Sequence, residues 1–529
     1  MKLALAQINT TVGDFDGNLE RILSAAKGLD ADLVVFPELS LCGYMPRDLL
    51  DERAFLARCA ASLETLRART DLPPLLVGGP VEHDGELFNA ALFVHGGRVE
   101  TLFKGLLPNY DVFDERRWFT GTESVASIEI GSRKVGVTIC EDAWASPAHD
   151  RDPVAELAAA GADVVVNLSA SPFEQGKPDR RIELLAGHAR RNKVPMALCN
   201  LVGGNDQLLF DGNSFAVNAN GRVSAHAAAF REEVLVIDFD ADHDADTGPR
   251  EDREDLIAAT TLGIADYFRK TGFDTAYLGM SGGVDSSLVA CLAARALGPE
   301  RVTGVSMPGP FNAPESLDDA RALAAALGIA FQVLPIDRPF AVVREELAAV
   351  WGDRPFDLAE ENLQARLRGL YLMALANKEN SLVLVPSNKS ELAMGYCTLY
   401  GDMVGAIAPI SDLYKGQVYE LARRFDEIPP NVLQRPPSAE LRPDQKDEDT
   451  LPPYELLDRI LSLHIEQRVP SAEIVKKTGA DAAVVERVLT AVARTEYKRQ
   501  QGAPVLKLSA KAFGIGRRFP IVERYQGGV

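Results

Sequence analysis

The chain has 529 residues, 46% hydrophobic and 25% charged, a globular balance with room for roughly two to four domains, each with its own core. A formal net charge of −20 argues against a sequence-independent grip on nucleic acid, which needs clustered Lys and Arg. Six scattered cysteines (42, 59, 140, 199, 291 and 397) form no CxxC pair, so neither a zinc site nor a disulfide framework is signalled. "MKLALAQINT" opens as a short apolar strand and not a signal peptide, and no apolar run approaches the roughly eighteen residues of a membrane span. A cytoplasmic protein with no membrane partner is expected.

Strand-like apolar runs recur at 2–8, 33–37, 74–78, 134–140, 163–168, 195–199 and 233–239, with helix-like stretches at 17–29, 51–69 and 181–192 between several of them. This alternation predicts an α/β layered fold. "DADHDADTGPRED" (240–252) is acidic, contains Gly-Pro and has no apolar period, so it reads as a linker. The expected organisation is a first domain over 1–240, a linker over 241–254 and a second domain over 255–529. The second domain opens with a strand, "TAYLGM" (275–280), a loop and a helix at 286–297, and strand–helix alternation runs on to about 425. An amphipathic helix is predicted over 360–377, a mobile Pro/Asp/Glu-rich loop over 436–453 and a helical portion over 451–499, followed by a basic irregular tail.

Three stretches of the first half join charge to strand ends. "VVFPELSLCGY" puts Glu38 after a strand and a proline, "LFKGLLPNYDVFDERRWF" puts Lys104 after the strand-like pair 91–94 and 99–103, and "GVTICEDAW" puts Cys140 at a strand end. A carboxylate can deprotonate a thiol, and a lysine can stabilise both the thiolate and the oxyanion formed on attack. Strand alternation would turn Glu141 away from the face that holds Cys140. Each stretch alone is ordinary: a buried cysteine, a turn glutamate, a loop lysine. Together they resemble the nitrilase superfamily over roughly residues 1–240, with Glu38, Lys104 and Cys140 on its Glu–Lys–Cys positions. That resemblance implies an α-β-β-α sandwich that hydrolyses an amide. It further implies Tyr110, Ser171 and Lys177 as contacts for a glutamine side chain, and Glu115 as a second carboxylate in the site.

"YLGMSGGVDSSLVACLAARALG" (277–298) is strand, Gly-Ser turn and helix, and its turn spans Gly279, Met280, Ser281, Gly282, Gly283, Val284, Asp285 and Ser286. Such a turn aims amide N–H groups and a positive helix end at an anion, and Asp285 adds a carboxylate suited to Mg²⁺. The lysine of a Walker A loop is missing. The stretch resembles the SGGxDS loop of the ATP pyrophosphatases, which cleave ATP between its α- and β-phosphates and build their site on a parallel sheet.

"EENLQARLRGLYLMALAN" (360–377), "PSNKSELAMGYCTLYGDMVGAIAPISDLYKGQV" (386–418) and "YKRQQGAPVLKLSAKAFGIGRRFPI" resemble NAD⁺ synthetases. The resemblance implies that Asn362, Glu391, Asp402 and Lys498 contact deamido-NAD⁺, that Glu391 joins Asp285 at Mg²⁺, and that Arg366 and Lys415 serve the phosphates of ATP. Two positions depart from the pattern: Pro386 replaces a usual threonine, and Asn312–Ala313 replaces paired serines, which implies altered hydrogen bonding around the nucleotide. The whole chain resembles the glutamine-dependent NAD⁺ synthetases, which implies a homo-oligomer and passage of ammonia between the two sites. A GMP synthetase shares the loop but has another type of glutaminase. A tRNA-thiolating enzyme needs a basic surface and sulfur-handling cysteines. A binding protein that keeps both folds without catalysis is the remaining alternative.

Overall fold

A computed structural model of the chain describes residues 1–144, 149–240, 245 and 251–524. It divides into two compact units, Met1–Asp255 and Leu256–Val529.

In the first unit, β1 (Lys2–Gln7), β2 (Leu33–Val35), β3 (Leu75–His83), β4 (Glu86–His95) and β5 (Arg98–Phe103) begin one sheet. The hairpin from β4 to β5 turns at Gly96 and Gly97, both at positive φ, as a tight turn between right-twisted strands requires. A second sheet follows: β6 (Ala126–Ile130), β7 (Arg133–Ile139), β8 (Val164–Ser169) and β9 (Met196–Asn200). The two-stranded ribbon β10 (Val202–Asn205) and β11 (Leu208–Asp211) intervenes before β12 (Phe215–Val217) and β13 (Val223–His226). Finally β14 (Glu233–Asp238) returns antiparallel to β1. The orders are β14-β1-β2-β3-β4-β5 and β13-β12-β9-β8-β7-β6.

Leu3, Leu5, Val35 and Leu76 of the first sheet pack in one core with Val135, Val137, Val166 and Leu168 of the second, so the sheets lie face to face. Helices α1 (Phe15–Ala26) and α2 (Arg53–Arg67) cover the outer face of the first sheet through Ile22, Ala26 and Leu66. Helices α3 (Pro153–Ala159) and α4 (Lys177–Asn192) cover the second through Val154, Leu157, Leu185 and Ala189. The result is the α-β-β-α sandwich.

Helix α5 (Asp252–Thr271) carries the chain from the first unit into the second, which begins at Leu256. Most of the expected linker lies outside the described residues, but its last residues already belong to this helix, whose acidic first turn (Asp252, Glu254, Asp255) complements the helix dipole. Four parallel strands in the order β17-β16-β15-β18 form its sheet: β15 (Ala276–Gly279), β16 (Val302–Ser306), β17 (Ala330–Val333) and β18 (Leu382–Leu384). Between them run α6 (Val284–Leu297), α7 (Pro314–Leu327), α8 (Asp337–Trp351) and α9 (Leu358–Glu379). One face of the sheet packs through Tyr277, Val305 and Val383 against Phe340 of α8 and Leu367, Leu372 and Ala376 of α9.

After β18 come α10 (Lys389–Met394), α11 (Lys415–Ala422) and α12 (Pro430–Gln434), then α13 (Tyr454–Ile465), α14 (Ser471–Thr478), α15 (Ala482–Arg494) and α16 (Glu496–Arg499). Leu392 and Ala393 of α10, Leu457 and Leu461 of α13, Ile474 of α14 and Val485 and Val488 of α15 share one core. The segment expected to be a mobile loop over 436–453 is instead tied down: Glu440 accepts from Asn312 Nδ2 at 2.8 Å and from Ser316 Oγ at 2.7 Å, and Leu441 O accepts from Gln364 at 2.8 Å.

Candidate active sites

The first site lies where strands of both sheets end. β2 stops at Val35, and Pro37 begins a turn that carries Glu38, which is fully buried. The turn lies close over Gly78 of β3, where a Cβ would come within 2.3 Å of Leu39 N. Lys104 follows β5, and Cys140 follows β7 as the first residue of a short 3₁₀ turn, at φ +44°. This left-handed backbone is costly for a residue with a Cβ. Asn167 braces the turn, donating to Cys140 O at 3.3 Å and to Thr138 Oγ1 at 3.0 Å.

Because Cys140 opens a 3₁₀ turn, strand alternation does not apply to its neighbour. Glu141 is buried; it accepts from Tyr110 OH at 2.8 Å and pairs with His149 Nε2 at 2.9 Å. The expectation that it faces away from the nucleophile's surroundings is thereby corrected, since its charge adds to those opposing the thiolate. Asp142 accepts from Ile139 N at 3.0 Å, Gly105 N at 3.0 Å and Leu106 N at 2.7 Å, which ties the cysteine turn to the segment after Lys104.

Lys104 Nζ sits between two carboxylates, 2.6 Å from Glu38 Oε1 and 2.8 Å from both oxygens of Glu115. Glu38 also accepts from Asn89 Nδ2 at 2.8 Å and Ala170 N at 3.1 Å. Burial opposes the lysine's charge, yet Glu115 and Glu38 hold its pKa well above the ordinary value. Burial pushes Glu115 up to about 7 although Lys104 pulls it down. Burial and then the Glu38 carboxylate push the Cys140 thiol well above its usual range, with Lys104 opposing them. An ammonium fixed between two carboxylates beside a thiol can hold negative charge that develops on sulfur or on a carbonyl oxygen.

Of the other residues expected in this site, Tyr110 is 53% exposed and reaches it through Glu141. Ser171 is buried and donates its N–H to Asn200 Oδ1 at 2.9 Å, one residue after the amide that binds Glu38. Lys177 opens α4 with Nζ 5.7 Å from the centre of the Trp144 ring.

The second site is a cavity of about 300 Å³ within the second unit. Its wall includes the whole run Gly279–Ser286, between β15 and α6. Gly283, the cap residue of α6, offers no side chain to the first-turn amides, which leaves that helix end suited to an anion. Gly282 has φ +79°, and a Cβ there would come within 2.2 Å of Ser316 O.

Asp285 and Glu391 both line the cavity. Asn388 Nδ2 donates to Asp285 Oδ1 at 2.9 Å, while Lys415 Nζ contacts Asp285 Oδ2 at 2.5 Å and Glu391 Oε1 at 3.1 Å. Burial pushes Glu391 up to about 8, against Lys415. Burial also works against the Lys415 charge, but the two carboxylates hold it above its usual range. Among the described residues no set of three or more His, Cys, Asp or Glu side chains is placed to hold a metal. Two hard oxygen donors on the wall of this cavity do fit Mg²⁺, an ion that keeps waters and takes further ligands from phosphates.

Asp402 lines the cavity, accepts from Thr398 N at 2.6 Å and is pushed up to about 6 by burial. Asn362 and Lys498 meet the same loop from other sides: Asn362 Oδ1 accepts from Thr398 Oγ1 at 2.6 Å, and Lys498 Nζ donates to Gly395 O and Cys397 O, each at 2.7 Å. Arg366 is exposed, donates to Leu399 O at 3.2 Å and is not part of the wall, whereas Arg368, two residues on, is.

Burial lowers the Arg368 guanidinium to about 10, and it donates to Met307 O at 2.9 Å and Asn312 Oδ1 at 2.8 Å. Position 312, where the sequence departs from the expected serine, is thus a junction between Arg368 and Glu440. Pro386 also lines the cavity. Arg368, Asn388, Glu440 and Asn89 do not stand out in the sequence. For Arg368 a signal is present in the spacing of Ala365, Gly369, Leu372 and Ala376, which marks the inner face of α9.

Fold and sites define a class: a carbon–nitrogen hydrolase of nitrilase form joined in one chain to a nucleotide-dependent amide synthetase. A family model described as carbon-nitrogen hydrolase matches residues 2–246, and one described as NAD synthase matches 256–502. The chain is 43% identical over 553 residues to a glutamine-dependent NAD(+) synthetase of Synechocystis and 41% identical over 575 residues to one of Thermotoga maritima, covering 99% of each chain in both pairs. A solved glutamine-dependent NAD⁺ synthetase of Acinetobacter baumannii, in complex with adenosine diphosphate, superposes with a TM-score of 0.79 at 37% identity over 98% of both chains. The chain belongs to the family of glutamine-dependent NAD(+) synthetases.

Proposed function

We propose that this ligase amidates deamido-NAD⁺ to NAD⁺ at the expense of ATP, with ammonia released from glutamine, giving AMP, pyrophosphate and glutamate. The observation that carries the reading is the presence, in one chain, of the buried Glu38–Lys104–Cys140 cluster and of the Gly279–Ser286 turn on a cavity wall.

In the first unit Cys140 Sγ attacks the carboxamide carbon of glutamine while Glu38 takes the thiol proton. Lys104 stabilises the resulting oxyanion. As the tetrahedral adduct collapses, Glu38 returns the proton to the departing nitrogen, NH₃ leaves, and a thioester remains. Glu38 then draws a proton from water as its oxygen adds to the thioester carbon, the C–S bond breaks as that adduct collapses, Cys140 Sγ regains the proton from Glu38, and glutamate departs. Glu115 holds Lys104 in place, and Tyr110, Ser171 and Lys177 position the glutamine.

In the second unit the Gly279–Ser286 amides and the α6 end receive the ATP phosphates. Asn362, Glu391, Asp402 and Lys498 orient deamido-NAD⁺ so that its nicotinate carboxylate oxygen meets the α-phosphorus and pyrophosphate leaves. Ammonia then displaces AMP. Arg368, which lines the cavity, is better placed for the nucleotide than Arg366. Asp285 and Glu391 would hold Mg²⁺, which neutralises phosphate charge when bound.

The division into 1–240, a linker over 241–254 and 255–529 follows this separation of labour. A cytoplasmic homo-oligomer assembled through the synthetase portion completes the proposal; among the described residues no helix is long and apolar enough to cross a membrane. The test supplies ATP, deamido-NAD⁺ and either glutamine or ammonium and measures NAD⁺, which is expected from both nitrogen sources. No NAD⁺ from either would overturn the reading.

A further inference from the structure

Both oxygens of Asp285 are engaged, Oδ1 by Asn388 and Oδ2 by Lys415, and Glu391 shares the same ammonium. Lys415 is the first residue of α11 and is buried, with its Nζ 5.3 Å from the centre of the Tyr454 ring. The cation therefore stands between the two carboxylates on a tether, with an aromatic face beside it. A divalent ion arriving alone must displace a charge whose effective concentration is on the order of millimolar or higher. It also leaves the displaced ammonium buried without an anion, which is expensive. A nucleotide changes this balance, because its phosphates offer the ammonium new anionic partners while they bring the metal with them.

We propose that Lys415 is a tethered counter-ion that closes the Asp285–Glu391 pair to free divalent cations, so that the metal enters only together with the nucleotide. The inference rests on the reading above that these two carboxylates hold the metal. Lys415 thereby acts as a positioning residue, ordering metal and nucleotide binding.

The experiment follows immobilisation of Mn²⁺ on the full chain by water-proton relaxation enhancement, without nucleotide and with α,β-methylene-ATP. Without nucleotide the parent chain should show no Asp285-dependent Mn²⁺ site. Lys415→Met should gain one, and Asp285→Asn in the same chain should remove it. An Asp285-dependent site in the parent chain before nucleotide is added, or none in a folded Lys415→Met, overturns the proposal.

A circular-dichroism melt, compared with that of the parent chain, reports whether the variant folds. If it does not, the parent chain decides. An Asp285-dependent site that appears only with the ATP analogue supports counter-ion exchange, and one already present without it refutes exchange. Mn²⁺ immobilised with the analogue equally well in Asp285→Asn would instead sink the metal reading itself.

Discussion

Lys104 is the residue on which the first site balances, since its ammonium is buried against both Glu38 and Glu115. Lys104→Met strands two buried carboxylates and should cost the first unit about 3–5 kcal/mol, read as a shift in its denaturant midpoint. Glu38→Gln keeps the shape but removes the proposed base. Glutamine hydrolysis should fall by about 10²–10⁴-fold while that midpoint moves far less; an unchanged hydrolysis rate would remove Glu38 from the chemistry. Glu391 supplies a pH signature in the second unit. Its folded pKa of about 8 lies above the ordinary carboxylate value of about 4.3, so the folded state binds more protons across that window. This contribution to stability is present at low pH and is lost as pH rises through about 8. Glu391→Gln should therefore flatten the fall in melting temperature between mildly acidic and mildly alkaline pH, and an unaltered slope would contradict the assignment.

Among the elements, the turn between β15 and α6 depends most on the identity of single residues. Gly282→Ala puts a Cβ 2.2 Å from Ser316 O at a φ of +79°. It should abolish ATP-dependent synthesis, seen as loss of NAD⁺ formation from ammonium, with glutamine hydrolysis kept. Much at this scale is legible in the amino-acid string: short apolar runs mark the strand ends that carry Glu38, Lys104 and Cys140, and the Gly-Ser turn stands between a clear strand and helix. What escapes it are features set by tertiary contacts. Cys140 begins a 3₁₀ turn instead of prolonging β7, so the inferred orientation of Glu141 fails. Arg366 and Arg368 look alike in a string, but two helical steps place them on different faces of α9. The 436–453 segment is rich in Pro, Asp and Glu, and only its partners Asn312, Ser316 and Gln364 reveal that it is held over the cavity.

At the scale of the whole molecule, the proposed function divides the labour: one unit makes ammonia and the other uses it. Free ammonia is largely protonated near neutral pH, and NH₄⁺ is no nucleophile, so transfer without escape to water preserves its reactivity. An added ammonia-trapping enzyme should intercept little of the glutamine-derived nitrogen during turnover; capture of most of it would refute protected transfer. The most direct measurement is NAD⁺ formation by Cys140→Ala with each nitrogen source in turn. No NAD⁺ should form from glutamine and ammonium should support a rate close to that of the parent chain, whereas loss of both activities, or retention of the glutamine-driven one, would contradict the division of labour between the units.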